Sequence, residues 1–182
     1  MSKISFFFSA LLAVSLMVGA PQVIHAAGSE TPPKPTNTTK KCKKGKVYDA
    51  ESKKCLKVEA HNFSDDQLYL AARELAYDGQ YMNALHVLDA AADQNDPRIL
   101  NYRGFTNRKM GNHAVAMDFY EAALTINPDY ILARSYMGQG LLANGDKDGA
   151  LEQLAQIRER GGRNTWSYTA LSMALRGTPS NY

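Results

Sequence analysis

Between residues 65 and 163 the chain repeats one punctuation, and nothing else in it constrains the fold as tightly. A small residue, then Gly, then Ala, then another small residue recur at fixed offsets. They are Ala72, Gly79, Ala84 and Ala91 in the first unit, and Gly104, Gly111, Ala116 and Ala123 in the second. The third has Gly138, Gly145 and Ala150, with Ile157 in the last place. The step from the first small residue to the Ala is 12 each time, and the units advance by 32 and then 34 residues. Periods of this size mark arrays of a repeated supersecondary unit.

Each place in the unit has a physical reason. Small residues on facing helices let an antiparallel pair approach closely, and the Gly between them ends the first helix with a left-handed backbone. Leu85, Leu88, Ala91 and Ala92 form the apolar stripe of the first unit's second helix. Leu124 and Ile126 serve the second unit, and Leu151, Leu154 and Ile157 the third. Pro97 and Pro128 mark the unit junctions, and Ser64-Asp65-Asp66-Gln67 reads as a capping box. Helices are expected near 65–78, 81–94, 97–110, 113–126, 131–143, 147–160 and 165–176. The last carries Trp166, Leu171, Met173 and Leu175 and should cover the open end of the stack. An all-α solenoid of three helical hairpins plus a C-terminal capping helix follows.

These residues resemble the tetratricopeptide repeat, a helix–turn–helix unit. The stretch from Asn101 to Pro128, NYRGFTNRKMGNHAVAMDFYEAALTINP, is the fullest match, keeping Gly104, Gly111, Ala116, Tyr120, Ala123 and the closing Asn127-Pro128. The first unit has Asp96 where Pro would fall, and the third ends in Gly161-Gly162 without Pro. The resemblance implies that the first helix of each unit lines a concave groove that binds a peptide or partner helix. Carried over by place, the groove residues are Tyr69, Arg73, Tyr77, Asn101, Phe105, Arg108, Ser135, Gln139 and Leu142. Aromatics with Arg and amides suit a polar peptide with one or two apolar anchors. The Lys/Asn/Arg clamp of chaperone-binding members is not matched, since Ser135 and Gln139 replace its basic pair.

Charge divides the chain. Residues 28–58 hold nine Lys against Glu30, Asp49 and Glu51, a net +6, whereas residues 59–182 carry −4. The total of +3 is too small for a dedicated nucleic-acid binder. Met1-Ser2-Lys3, the apolar run Ile4–Ala20 and the small residues of Ile24-His25-Ala26-Ala27 read as a cleaved signal peptide over 1–27. The run is shorter than the roughly 20 residues that span a bilayer. No stable membrane insertion is expected after cleavage, and the mature chain is expected in a bacterial periplasm or secreted. Residues 28–41, rich in Pro, Thr and Lys, read as a flexible linker. Cys42 and Cys55 read as one disulfide closing a basic hairpin over 42–58. After a 59–64 linker the repeats take 65–96, 97–130 and 131–163, with the cap and tail over 164–182.

Signs of catalysis are missing. No nucleophile motif, phosphate-cradling Gly loop, HExxH or CxxC occurs. His86 and His113 read as surface or cap residues, Asp65-Asp66 as acids at a helix start, and no metal or cofactor is implied. Arg103 and Asp118 are expected to pair across the two helices of the second unit. The chain therefore reads as a non-catalytic scaffold with a protein or peptide partner. The alternative puts binding in the Lys-rich Cys42–Cys55 loop, with an anionic glycan or peptidoglycan as ligand. Contact of that loop with envelope polymers would otherwise be weak.

Overall fold

The computed structural model describes Cys42 and residues 46–49, 51–60 and 63–178. The expected signal peptide and 28–41 linker lie outside the described residues, as do 43–45 and 50 of the hairpin, 61–62 of the 59–64 linker and 179–182 of the tail. Two strands come first, β1 Lys46–Asp49 and β2 Lys54–Lys57, followed by a 3-10 turn over Val58–Ala60. Seven helices follow: α1 Asp65–Tyr77, α2 Tyr81–Leu88, α3 Pro97–Lys109, α4 His113–Ile126, α5 Ile131–Ala143, α6 Lys147–Glu159 and α7 Trp166–Leu175. Consecutive helices pair as α1/α2, α3/α4 and α5/α6, and the first helices stack on one another in the order α1, α3, α5, α7. The fold is the helical-hairpin solenoid the repeat implies.

Local chemistry sets the helix boundaries. The capping box is complete: the Ser64 amide donates to Gln67 Oε1 at 2.9 Å, and the Gln67 amide to Ser64 Oγ at 3.3 Å. Asp96 caps α3, accepting the Arg98 amide at 2.8 Å just ahead of Pro97 at the first helical position. Gly79, Gly111 and Gly145 end the first helices at φ +78°, +86° and +87°. Ala170 and Gly177 keep the same spacing as Ala72 and Gly79, and Gly177 sits at φ +73°. So α7 caps the stack with the residue spacing of a first helix, packed on α5 and α6.

Between the helices of a unit the approach is as close as the small residues require. A Cβ added at Gly104 would stand 2.5 Å from the Tyr120 ring, and one at Gly138 3.3 Å from Gln153 on α6, as well as 2.7 Å from Leu171 on the next helix, α7. Ala84, Ala116 and Ala150 are wholly buried opposite. Tyr102, Tyr120, Tyr130 and Tyr136 are the largest fully buried side chains, so the core is built on aromatic volume as well as aliphatic.

Two expectations need correction. Helix α2 stops at Leu88 rather than near 94, because side chains take over the backbone groups beyond it. Gln94 Nε2 donates to the carbonyls of Leu88 (3.1 Å) and Ala91 (2.7 Å), while Asp65 accepts the amides of Ala92 (2.7 Å) and Asp93 (2.9 Å). Arg103 does not pair with Asp118. It reaches back to Asp89 Oδ1 at 2.8 Å, donates to Gln94 and lies over the Phe119 ring at 5.8 Å. The preceding turn offered acceptors nearer its stem than the exposed Asp118 on α4. A double-mutant cycle should give Arg103 and Asp89 a coupling of about 0.5 kcal/mol, as for exposed pairs. Arg103→Ala and Asp118→Ala should add in the same urea melts.

The hairpin belongs to the same body. The disulfide Cys42–Cys55 is formed, and Val47 and Val58 are buried in one apolar cluster with Leu68, Leu75 and Val87. His86 Nε2 on α2 lies 3.0 Å from Glu59 Oε1 in the 3-10 turn.

Candidate functional site

The first-helix face is floored by aromatic rings. Tyr69, Arg73 and Tyr77 recur every four residues on α1 and so share one stripe toward α3. Tyr77 is a hub: its hydroxyl lies 2.6 Å from that of Tyr102 on α3 and 2.6 Å from that of Tyr136 on α5. Three successive units are thereby joined by one hydroxyl cluster. Edge-on ring contacts hold it, with Tyr69 to Tyr102 at 5.5 Å, Tyr77 to Phe105 at 5.4 Å and Tyr77 to Tyr102 at 5.9 Å between centroids. Phe105 meets Tyr136 at 4.9 Å.

Cations ring this floor. Arg73 stands over the Tyr77 ring at 5.0 Å, Arg108 over Phe105 at 5.6 Å and Tyr136 at 6.0 Å, and Lys109 over Phe105 at 5.7 Å. All three are half-buried, and none has a carboxylate within ion-pair distance among the described residues. Elsewhere three half-buried arginines, Arg98, Arg103 and Arg160, meet acids, while Arg134 meets the Pro128 carbonyl and Gln153. Arg98 meets Asp96 and Asp66, each at 2.6 Å, and Arg160 meets Asp129 at 3.1 Å. Burial and then the Arg108 charge pull the Lys109 ammonium below its ordinary value, the signature of a cation crowded without a counter-charge. Burial also opposes the Arg73 charge, but the surrounding Tyr102, Tyr77 and Tyr69 phenols outweigh it and hold that guanidinium above its usual value.

The expected groove residues divide into two sets. Arg73, Tyr77, Phe105 and Arg108 converge on the cluster, with Tyr69 buried against its edge. Asn101 is wholly buried and donates to the Tyr130 hydroxyl at 3.4 Å. Ser135 donates to the Ser167 carbonyl of α7 at 2.8 Å, and Gln139 donates to Ser135 at 3.4 Å. Their polar groups serve the seam between α5 and α7 because the capping helix packs there. Leu142 is half-buried on the last turn of α5.

Tyr102, Tyr136 and Lys109 belong to the site and were not anticipated from the sequence. A signal existed for the two tyrosines, since each stands two residues before its unit's small residue, Gly104 or Gly138. Among the described residues, no group of three or more His, Cys, Asp or Glu could hold a metal ion. No helix there is long and apolar enough to cross a membrane.

Tetratricopeptide repeat models match residues 69–131 and 108–166, together more than half of the chain. No curated protein and no solved structure matches it. Paired helices, left-handed glycines at the repeated place and these two overlapping matches agree: the chain belongs to the tetratricopeptide repeat family.

Proposed function

We propose that this protein is an exported, non-catalytic interaction module that captures an acidic polypeptide segment on its first-helix face. Repeats of this family generally mediate protein–protein interaction. One observation carries the finer reading: Arg73, Arg108 and Lys109 converge half-buried on an aromatic floor, in a body of net charge −4, without a carboxylate of its own. A charge removed from water without a partner is costly, so the arrangement is most stable when a ligand brings the anion. The half-buried Tyr77 ring, backed by the fully buried Phe105, offers apolar surface for one anchoring side chain beside the acids. Export rests on the leader-like residues 1–27 and the single disulfide, which suit a bacterial periplasm or the space outside the cell.

Calorimetric titration with a short synthetic peptide of Glu residues around a single Leu tests this. Arg73→Gln and Arg108→Gln should each weaken binding about tenfold, the scale of a hydrogen bond to a charged group. Affinity should also fall with added salt. Unchanged affinity in the double variant, with the helical dichroism intact, would refute the assignment.

A further inference from the structure

The hairpin carries a second surface that the groove does not use. Its register is fixed: Lys46 faces Lys57, Val47 faces Leu56, Tyr48 faces Cys55 and Asp49 faces Lys54. Side chains alternate across a strand, and opposed residues share a face. Val47 is buried against the helical body, so its face is the inner one. The outer face therefore presents Lys46, Lys57 and Tyr48 beside the disulfide. Like charges directly opposed across a strand pair destabilise it, and Lys46 and Lys57 are such a pair. Neither these two nor Lys53 and Lys54 in the turn region has an ion-pair partner among the described residues. The described hairpin carries Lys46, Lys53, Lys54 and Lys57 against Asp49 and Glu51, whereas residues 59–182 sum to −4.

From this geometry we propose that the outer face of the hairpin docks the protein on an anionic lipid surface. Three features favour a bilayer over a soluble polyanion. The two-stranded face is an open ribbon rather than a cleft that would enclose a polymer chain. Tyr48 shares it, and a phenol gains at the headgroup level, where its ring and hydroxyl meet different media. The acidic body is repelled by the same surface that attracts the lysines, which orients the molecule hairpin-down. Val47 and Val58, buried in the core cluster, keep the ribbon attached to the helices, so the repeats are held at the membrane without any inserted segment.

Co-sedimentation of the chain from Gly28 onward, which retains every described element, with lipid vesicles tests the proposal. It should partition onto phosphatidylcholine vesicles containing one-third phosphatidylglycerol, stay in solution with pure phosphatidylcholine, and release as salt rises. Each lysine near such a surface contributes about 1 kcal/mol, so Lys46→Ser with Lys57→Ser should weaken partitioning about thirtyfold. Lys46→Arg with Lys57→Arg should preserve it. Equal binding to neutral vesicles would overturn the proposal, as would an undiminished affinity of the double Ser variant. Capture by soluble dextran sulfate or polyglutamate without any vesicle binding would also overturn it, pointing to a polymer. Peptide capture by the groove is read in a separate titration and should not change in either hairpin variant.

Discussion

Above pH 10, the ordinary tyrosine value, the helical body is expected to lose roughly 5 kcal/mol of stability per pH unit. Four tyrosines that are wholly buried set this slope. Burial, with neighbouring phenols adding to it, pushes Tyr102 and Tyr136 well above the ordinary range, and burial does the same to Tyr130. Tyr120 is pushed up to about 12 by burial, against the opposing charge of Arg108. In the unfolded chain all four titrate near 10. Their folded values are raised, so the stability linked to them is complete below that pH and is lost as pH climbs toward the folded values. A domain of this size has only about 5–15 kcal/mol to lose. The phenolate absorbance of these four rings should therefore appear together with the loss of helical dichroism. Tyr102→Phe with Tyr136→Phe should roughly halve the slope by removing two of the four groups. Ionisation of all ten tyrosines near pH 10 with the helices intact would contradict the buried tyrosine core.

The second large effect lies at the waist of the second unit. Helix propensity alone predicts that Gly104→Ala stabilises α3 by up to about 1 kcal/mol. The contact predicts the reverse, because the new Cβ would stand 2.5 Å from Tyr120 Cε1 and 2.7 Å from its Cδ1. Tyr120 is fully buried, so its ring cannot swing aside. Overpacking should win, with a net loss of about 1–3 kcal/mol. Tyr120→Ala should cost about 3–5 kcal/mol by opening a cavity in the same place. Since each change relieves the other, the double variant should lose less than the sum by at least about 0.5 kcal/mol. Urea melts of the four proteins decide it; additive losses, or a stabilising Gly104→Ala, would mean the two helices are not in this contact.

How much of this could be read from residues alone depended on whether the cause was local. Gly79, Gly111 and Gly145 announce their turns because a left-handed backbone is a property of one residue. The Ser64–Gln67 box and the Asp96-Pro97 start are readable for the same reason. The end of α2 was not, because it is set by Asp65, which reaches across from α1 to the amides of Ala92 and Asp93. Arg103 fell to the same limit: the antiparallel return suggested Asp118, while Asp89 and Gln94 on the preceding turn stood nearer. Place within the unit named Arg73, Tyr77, Phe105 and Arg108, which the structure brings together. It could not foresee that Ser135 would donate to the Ser167 carbonyl of α7, with Gln139 on Ser135, because that seam is set by the tertiary packing of the cap. The inner contact of the hairpin was equally hidden, because a single buried Val47 between two polar neighbours carries no periodic signal.

Amide chemical-shift mapping of the acidic Glu/Leu peptide onto the labelled protein tests the central claim most directly. Binding on the first-helix face predicts that the largest perturbations fall at Arg73, Tyr77, Phe105, Arg108, Lys109 and Tyr136, spread over α1, α3 and α5. Perturbations confined to the hairpin strands, or to α2, α4 and α6 with those six residues unmoved, would contradict it.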